Sequence, residues 1–116
     1  MNAHERRAAV ATAVVVSDIR EERARQVAVE GWTPAHDDQH TGGDLAAAAA
    51  AYAFSAYTAT TPRYLAADPR GFWPWDVSWW KPRGVRRDLV RAAALIVAEI
   101  ERLDRLAAEA ARAVKQ

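Results

Sequence analysis

Residues 85–114, VRRDLVRAAALIVAEIERLDRLAAEAARAV, decide the fold. Within them Leu89, Ala93, Ile96, Ile100, Leu103, Ala107, Ala110 and Val114 follow one another at alternating steps of four and three. That spacing places every member on one side of an α-helix and forms a heptad seam. Glu101 with Arg105 and Glu109 with Arg112 add helix-surface charge pairs. Up to Ile100 a second apolar row, Val90, Ala94 and Val97, widens the stripe, so this half of the helix is expected to be buried on more than one side. A helix of about 30 residues is roughly 45 Å long, whereas a globule of this size is roughly 35 Å across. The C-terminal half must therefore protrude or pack on another subunit. The expectation is a homo-oligomer, dimer or tetramer, assembled through helix 85–114.

Working outward from that helix, the rest of the chain also reads as helical. Alanine fills 28 of 116 positions and has the highest helix propensity, with Leu, Arg and Glu close behind. Residues 1–29 read as one helix or as two elements broken near Ser17-Asp18. Val14-Val15-Val16 would suit a short strand, and Asp18 with Glu21 has the spacing of a capping box; Gly31 stops the segment. Residues 30–43, EGWTPAHDDQHTGG, read as an acidic His/Asp loop by their glycine and proline punctuation. A helix follows over 43–57, with Thr41 and Asp44 at N-cap and N3 spacing. Its Ala46–Ala51 run is expected to be ordered because Leu45, Tyr52, Phe54 and Tyr57 flank it. Residues 58–84 form a long irregular connection, of a length that is usually functional or disordered. Five aromatics between Phe72 and Trp80 argue against disorder. The fold class is all-α, in a single domain over 1–116.

Composition narrows the function. Net charge is +1 and cysteine is absent, which excludes disulfides, zinc-thiolate sites and thiol catalysis. No apolar run reaches membrane-spanning length, and the start lacks the apolar block of a secretory signal, so a cytoplasmic protein without a membrane partner is expected. The weak overall charge makes duplex nucleic acid an unexpected partner. Charge is nevertheless segregated: residues 30–44 carry four acids and no Lys or Arg, while residues 63–91 carry seven basic and three acidic residues.

Three clusters could carry chemistry. His36-Asp37-Asp38-Gln39-His40, followed by Asp44, offers nitrogen and oxygen ligands to a divalent metal; the alternative is a solvated polar loop whose carboxylates make turn and helix-start hydrogen bonds. Trp73-Pro74-Trp75 and Trp79-Trp80-Lys81-Pro82 could stack on bases, or fold over the helices as a second small core. Arg86-Arg87-Asp88, with Arg91 one turn on, places positive charge at a helix start, where anions bind; the alternative is surface arginine paired with Asp88. No Gly-x-Ser-x-Gly, glycine-rich phosphate loop or dinucleotide fingerprint is present.

Several of these strings together resemble a family of small accessory proteins of temperate tailed phages. They are Glu22-Arg23-Ala24-Arg25-Gln26, Glu30-Gly31-Trp32-Thr33, His36–His40, Gly43-Asp44-Leu45-Ala46, Trp73-Pro74-Trp75, Trp80-Lys81-Pro82, Arg87–Ile96 and Ala98–Arg105. The resemblance spans roughly residues 19–105. More distantly, the layout is similar to the MazG-like all-α nucleotide pyrophosphohydrolases, whose Mg²⁺ cage uses Glu-Glu-x-x-Glu and Glu-x-x-Asp. Here the corresponding positions read Gly43-Asp44-Leu45-Ala46-Ala47 and Asp88-Leu89-Val90-Arg91, with two of five carboxylates kept and an arginine in the shell.

The resemblances imply a MazG-like helical core; with the tryptophan and arginine clusters, the expectation is a protein that binds a small phosphate-bearing nucleotide, and the phage setting adds sequestration of a host-defence signal. Trp73, Trp75 and Trp80 would stack the base, with Trp32, His36 and His40 beside it. Lys81, Arg87 and Arg91 would hold phosphate. No cofactor or metal is expected on this reading. One alternative is a pyrophosphohydrolase using Mg²⁺ or Mn²⁺ on Asp37, Asp38, Asp44 and Asp88. The other is a non-catalytic interaction scaffold.

Overall fold

The structure is a computed structural model that describes residues 1–60 and 68–115. Among them there are four α-helices and no strand: α1 (Ala3–Glu30), α2 (Pro34–Asp37), α3 (Asp44–Thr60) and α4 (Val85–Lys115). Two 3₁₀ turns, Pro69–Phe72 and Val77–Trp79, lie between α3 and α4. The chain is all-α. Residues 61–67 of the connection expected over 58–84 lie outside the described residues.

Helix α1 is continuous through Ser17-Asp18, so no strand forms at Val14–Val16 and no cap forms at Asp18. The capping box sits at the start instead, where the Asn2 side chain accepts from the Glu5 N–H at 2.8 Å and the Glu5 carboxylate accepts from the Asn2 N–H at 3.4 Å. Alanine on both sides carries the helix across the β-branched run. Gly31 closes α1 in the left-handed conformation, φ 74°, its N–H donating to the Gln26 carbonyl. The loop expected over 30–43 contains the short helix α2, with Pro34 in its first turn and the Thr33 hydroxyl accepting from the His36 N–H at 3.2 Å. Helix α3 begins at Asp44, so Asp44 lies in its first turn and Thr41 precedes it without capping it.

Helices α3 and α4 form the centre of the molecule. Leu45, Ala48, Ala49, Ala51 and Tyr52 of α3 meet Ala92, Leu95 and Ala98 of α4, and Trp32 and Trp73 close this core. Helix α1 lies along α4, tied by Asp18 to Arg86 at 2.7 Å and by Arg23 to Glu101 at 3.7 Å.

The heptad seam has the predicted spacing but not the expected burial. Leu89, Ile96, Ile100 and Leu103 are each about half exposed. The buried side of α4 is largely the opposite one: Asp88, Arg91, Ala92, Ala94, Leu95, Ala98 and Arg102, so of the second apolar row Ala94 is enclosed while Val97 is exposed. The reason lies in the partner surface. Helix α3 presents mostly alanine, and the α4 face packed on it answers with Ala92 and Ala98 around one large aliphatic side chain, Leu95.

The N-terminal half of α1 and the last turns of α4 project beyond the core, and the radius of gyration is 16.8 Å against roughly 13 Å for a compact chain of this length. Leu95 is fully enclosed, and Leu95→Ala is expected to cost about 2–5 kcal/mol. Ile100→Ala, in a dilute single chain, is expected to stay within about 0.5 kcal/mol. Urea unfolding of both variants checks this orientation, and equal losses would contradict it.

Candidate functional site

A pocket of about 440 Å³ opens where the α1–α2 turn meets the tryptophan segment, lined by Glu30, Trp32, His36, His40, Trp75, Asp76 and Trp79. Two arginines hold the α2 segment that carries His36. Arg23 donates to the Trp32 carbonyl at 3.0 Å and to the fully buried Asp37 carboxylate. Arg105 of α4 donates to Asp38 at 2.8 Å. These contacts fasten α2 and its following turn to both long helices.

The histidines form a chain with two carboxylates. His36 Nδ1 lies 3.3 Å from Asp37 Oδ1, His40 Nδ1 lies 3.1 Å from Asp44 Oδ2, and the two Nε2 atoms face each other at 3.2 Å. Backbone bonds from the Gln39 N–H to the His36 carbonyl and from the His40 N–H to the Asp37 carbonyl continue the turn of α2, so the two imidazoles stay on one side. Trp32 lies almost parallel to His36, 5° between planes, and Trp75 stands edge-on to His40 at 5.3 Å.

The tryptophans divide between two tasks. Trp73 and Trp80 pack on Tyr52, at 5.5 and 4.7 Å between ring centroids, and Trp73 is only 9% exposed. These two belong to the core rather than to an open stacking surface. Trp75 bridges core and pocket, 5.2 Å from Trp73 and 5.3 Å from Trp32. Trp79 is half exposed at the rim, with the Lys81 ammonium 5.6 Å from its ring. The Val77–Trp79 turn, capped by the Asp76 side chain, turns Trp79 and Trp80 to different surroundings.

The arginines expected to hold phosphate lie elsewhere. Arg91 is 5% exposed, donates to the Lys81 carbonyl and sits 5.6 Å over the Tyr52 ring. Its role is to latch the tryptophan segment onto α4, and burial removes it from any ligand in the pocket. Arg87 is exposed and borders a different groove, with Glu21, Glu22 and Arg25. The four carboxylates of the Mg²⁺ alternative do not converge either. Asp37 pairs with Arg23, Asp38 with Arg105, and Asp44 with His40, while Asp88 accepts from the Arg83 N–H at 2.8 Å at the start of α4. Among the described residues no three His, Asp or Glu side chains gather to hold a metal ion.

Three of the lining residues, Trp79, Glu30 and Asp76, are not among the ligand-binding residues expected from the sequence. Trp79 was legible as half of a Trp-Trp pair, but nothing in the pair says which member faces outward. Glu30 stood out only as one of the acids of residues 30–44, and Asp76 had no signal of its own. The Asp76 carboxyl is held below its usual range by its hydrogen bonds from Ser78, so it faces the pocket as an anion. Glu30 is bonded to Arg25 at 2.8 Å, and Arg25 is raised above the usual guanidinium range chiefly by its hydrogen bond to Glu22.

No protein-family profile, no curated protein and no solved structure matches the chain.

Burial raises the Tyr52 hydroxyl above its ordinary value of 10.0, against the opposing pull of the Lys81 N–H and the Arg91 charge. The folded state thus holds this proton more tightly than the unfolded state. The stability that depends on it is complete below pH 10 and is lost as pH rises through the folded value. Unfolding titrations at pH 9 and pH 11 are expected to show a smaller loss in Tyr52→Phe than in the wild type. An identical loss in both would contradict it.

Proposed function

We propose that the chain binds a small flat heteroaromatic ligand, a nucleotide by class, in the pocket between Trp32, Trp75 and Trp79. The observation that carries this reading is that indole and imidazole rings form most of the lining. A pocket of about 440 Å³ falls within the usual range for small-molecule sites. Stacking on aromatic rings is worth about 1–3 kcal/mol per base. The Glu30 and Asp76 carboxylates accept from exocyclic amino groups, which favours an amino-bearing base. Lys81, over Trp79, is the ammonium nearest the rim and meets the phosphate.

The resemblance of residues 19–105 to phage accessory proteins, on a MazG-like core, supplies the setting. There the ligand is a nucleotide signal of host defence, held in the cytoplasm rather than turned over. Separation of Asp37, Asp38, Asp44 and Asp88 into four different contacts favours holding over Mg²⁺-dependent hydrolysis.

A second copy of the chain is the partner that fits the exposed seam. Leu89, Ile96, Ile100 and Leu103 lie half-exposed along α4, and Val15 and Ile19 of α1 border the same groove as Leu89. Identical seams of four-three spacing pair well with each other, and an extended chain gains compactness by doing so. Sedimentation is expected to give a dimer or tetramer at micromolar concentration, reduced to a folded monomer in Ile100→Asp. A wild-type monomer under those conditions would overturn the pairing.

Tryptophan fluorescence during titration with nucleoside mono-, di- and triphosphates tests the ligand. Trp75→Ala is expected to weaken nucleoside and nucleotide equally, by about 1–3 kcal/mol, whereas Lys81→Ala weakens only the phosphorylated ligand. Arg91→Ala is expected to lower the melting temperature, as befits a latch. Mass spectrometry of small molecules released by heating protein from phage-infected cells then names the base. No fluorescence response to any nucleotide, and no released nucleotide, would sink the reading.

A further inference from the structure

We infer that the ligand of the tryptophan pocket is one residue of a single-stranded oligonucleotide, whose following phosphates run along Lys81, Arg83 and Arg87. This rests on the nucleotide reading and goes beyond it in naming the ligand's class. Residues 77–91 carry five basic residues and one acid. The acid, Asp88, and one of the arginines, Arg91, are buried, so the surface of this stretch presents cations. Arg86 is taken up by Asp18. Lys81, Arg83 and Arg87 are exposed, and among the described residues none of them has a carboxylate in ion-pair contact, whereas seven of the other arginines do.

The backbone of this tract is fixed from below while its side chains stay free. The Lys81 N–H donates to the Tyr52 hydroxyl at 3.4 Å, and the Lys81 carbonyl accepts from the buried Arg91. The Arg83 N–H donates to the buried Asp88 carboxylate at 2.8 Å, and Pro82 between them has a fixed φ. Tyr52, Arg91 and Asp88 thus hold a run of exposed cations in place. Arg87 follows in the first turn of α4, where the helix dipole disfavours positive charge. Asp18 offsets Arg86 there, and a phosphate would offset Arg87. Of the acids in the groove beside Arg87, Asp18 and Glu22 are taken up by Arg86 and Arg25. Glu21, in the same groove, makes Arg87 the weakest of the three contacts.

The tract starts at the pocket rim. Trp79 lines the pocket, and the Lys81 ammonium lies 5.6 Å from its ring. The chain from Trp79 to Arg83 reaches at most about 14 Å. A strand with one base between Trp75 and Trp79 therefore passes Lys81 and then Arg83 with its next phosphates. Aromatic faces beside cations that track a backbone are the two parts of a single-strand site. A base must leave its stack to enter a pocket walled by tryptophan, which disfavours a duplex. The phosphate of a lone mononucleotide, met by Lys81, would leave Arg83 and Arg87 unused.

Tryptophan quenching of the full-length chain by adenine tetranucleotides, as RNA and as DNA, and by the matching mononucleotides is the test. The tetranucleotide is expected to bind at least about tenfold more tightly than the mononucleotide, and log K to fall against log salt with a slope of about −2, three phosphates at about 0.7 each. The tighter of the two sugar forms names the source. Arg83→Ala should remove about 0.7 from that slope and Arg87→Ala less, and the double variant should lose most of the tetranucleotide's advantage. Trp79→Ala should weaken the tetranucleotide roughly five- to hundredfold with the slope unchanged. Arg112→Ala, exposed near the end of α4, should change nothing. Circular dichroism establishes that each variant is folded, which the exposure of the substituted cations favours. A blunt duplex and a glutamate peptide of matched charge should compete poorly. Mononucleotide binding with no tetranucleotide advantage, an advantage kept in the folded double variant, or equal competition by duplex or peptide overturns the tract and leaves the pocket reading standing. No response to either mononucleotide or tetranucleotide overturns both.

Discussion

A helix face made of alanine packs closely but contributes little volume, and the rest of this structure follows from that constraint. Ala48, Ala49 and Ala51 of α3 lie against Ala92 and Ala98 of α4, so the two backbones approach each other with few large side chains between them. Leu45 and Leu95 are the large aliphatic exceptions, both fully buried. The remaining apolar area has to come from outside the helix pair. Trp73 and Trp80 provide it by folding over Tyr52, and Trp32 arrives from the α1–α2 turn. A tryptophan buries about 150–250 Å², several times what an alanine can. The irregular segment is thus ordered because the core is incomplete without it.

That ordering has an electrostatic counterpart. Folding a polar-backboned loop onto a helix leaves carbonyls in need of donors, and Arg91 supplies one to Lys81 from a buried position on α4. Tyr52 accepts from the Lys81 N–H at 3.4 Å, and Arg91 lies over its ring. A charged residue on the buried side of a helix is costly unless paired. Here the buried Glu22 carboxylate of α1 lies 4.0 Å from Arg91 Nε and supplies the opposite charge, while the Lys81 carbonyl belongs to the segment that completes the core, so packing and hydrogen bonding favour the same closure.

The same circumstances explain what the sequence made legible. The all-α class, the extent of α4, the ordering of the alanine run and the stop at Gly31 follow from propensity and punctuation, which act locally. The continuity of α1 and the position of its cap were less legible, because Asn2-Glu5 and Asp18-Glu21 offer the same spacing and only the fold selects between them. The buried side of α4 was misjudged for a reason of scale. Leu89, Ile96, Ile100 and Leu103 make the more hydrophobic stripe, but which stripe is covered depends on the neighbour's shape. The site divides in the same way. Sequence placed Trp32, His36, His40 and Trp75 among its candidates, and they do meet. It also enlisted Trp73, Trp80 and Arg91, whose residue types suit a ligand equally well but which the incomplete core takes for itself.

The residues left over after these structural demands are therefore the informative ones. Trp79 is not needed by the core and stands at the pocket rim. Neither imidazole of His36 or His40 contributes to the α3–α4 core, yet each has a carboxylate behind it and a tryptophan beside it. Asp37 is fully buried and Arg23 is committed to it, an arrangement that leucine and alanine could replace if packing were the sole requirement. What the ion pair achieves and a hydrophobic pair could not is a fixed carboxylate facing His36. Asp44 does the same for His40 from the first turn of α3, where the helix dipole favours its charge. Two independent elements thus spend their polar groups on orienting one pair of rings toward each other.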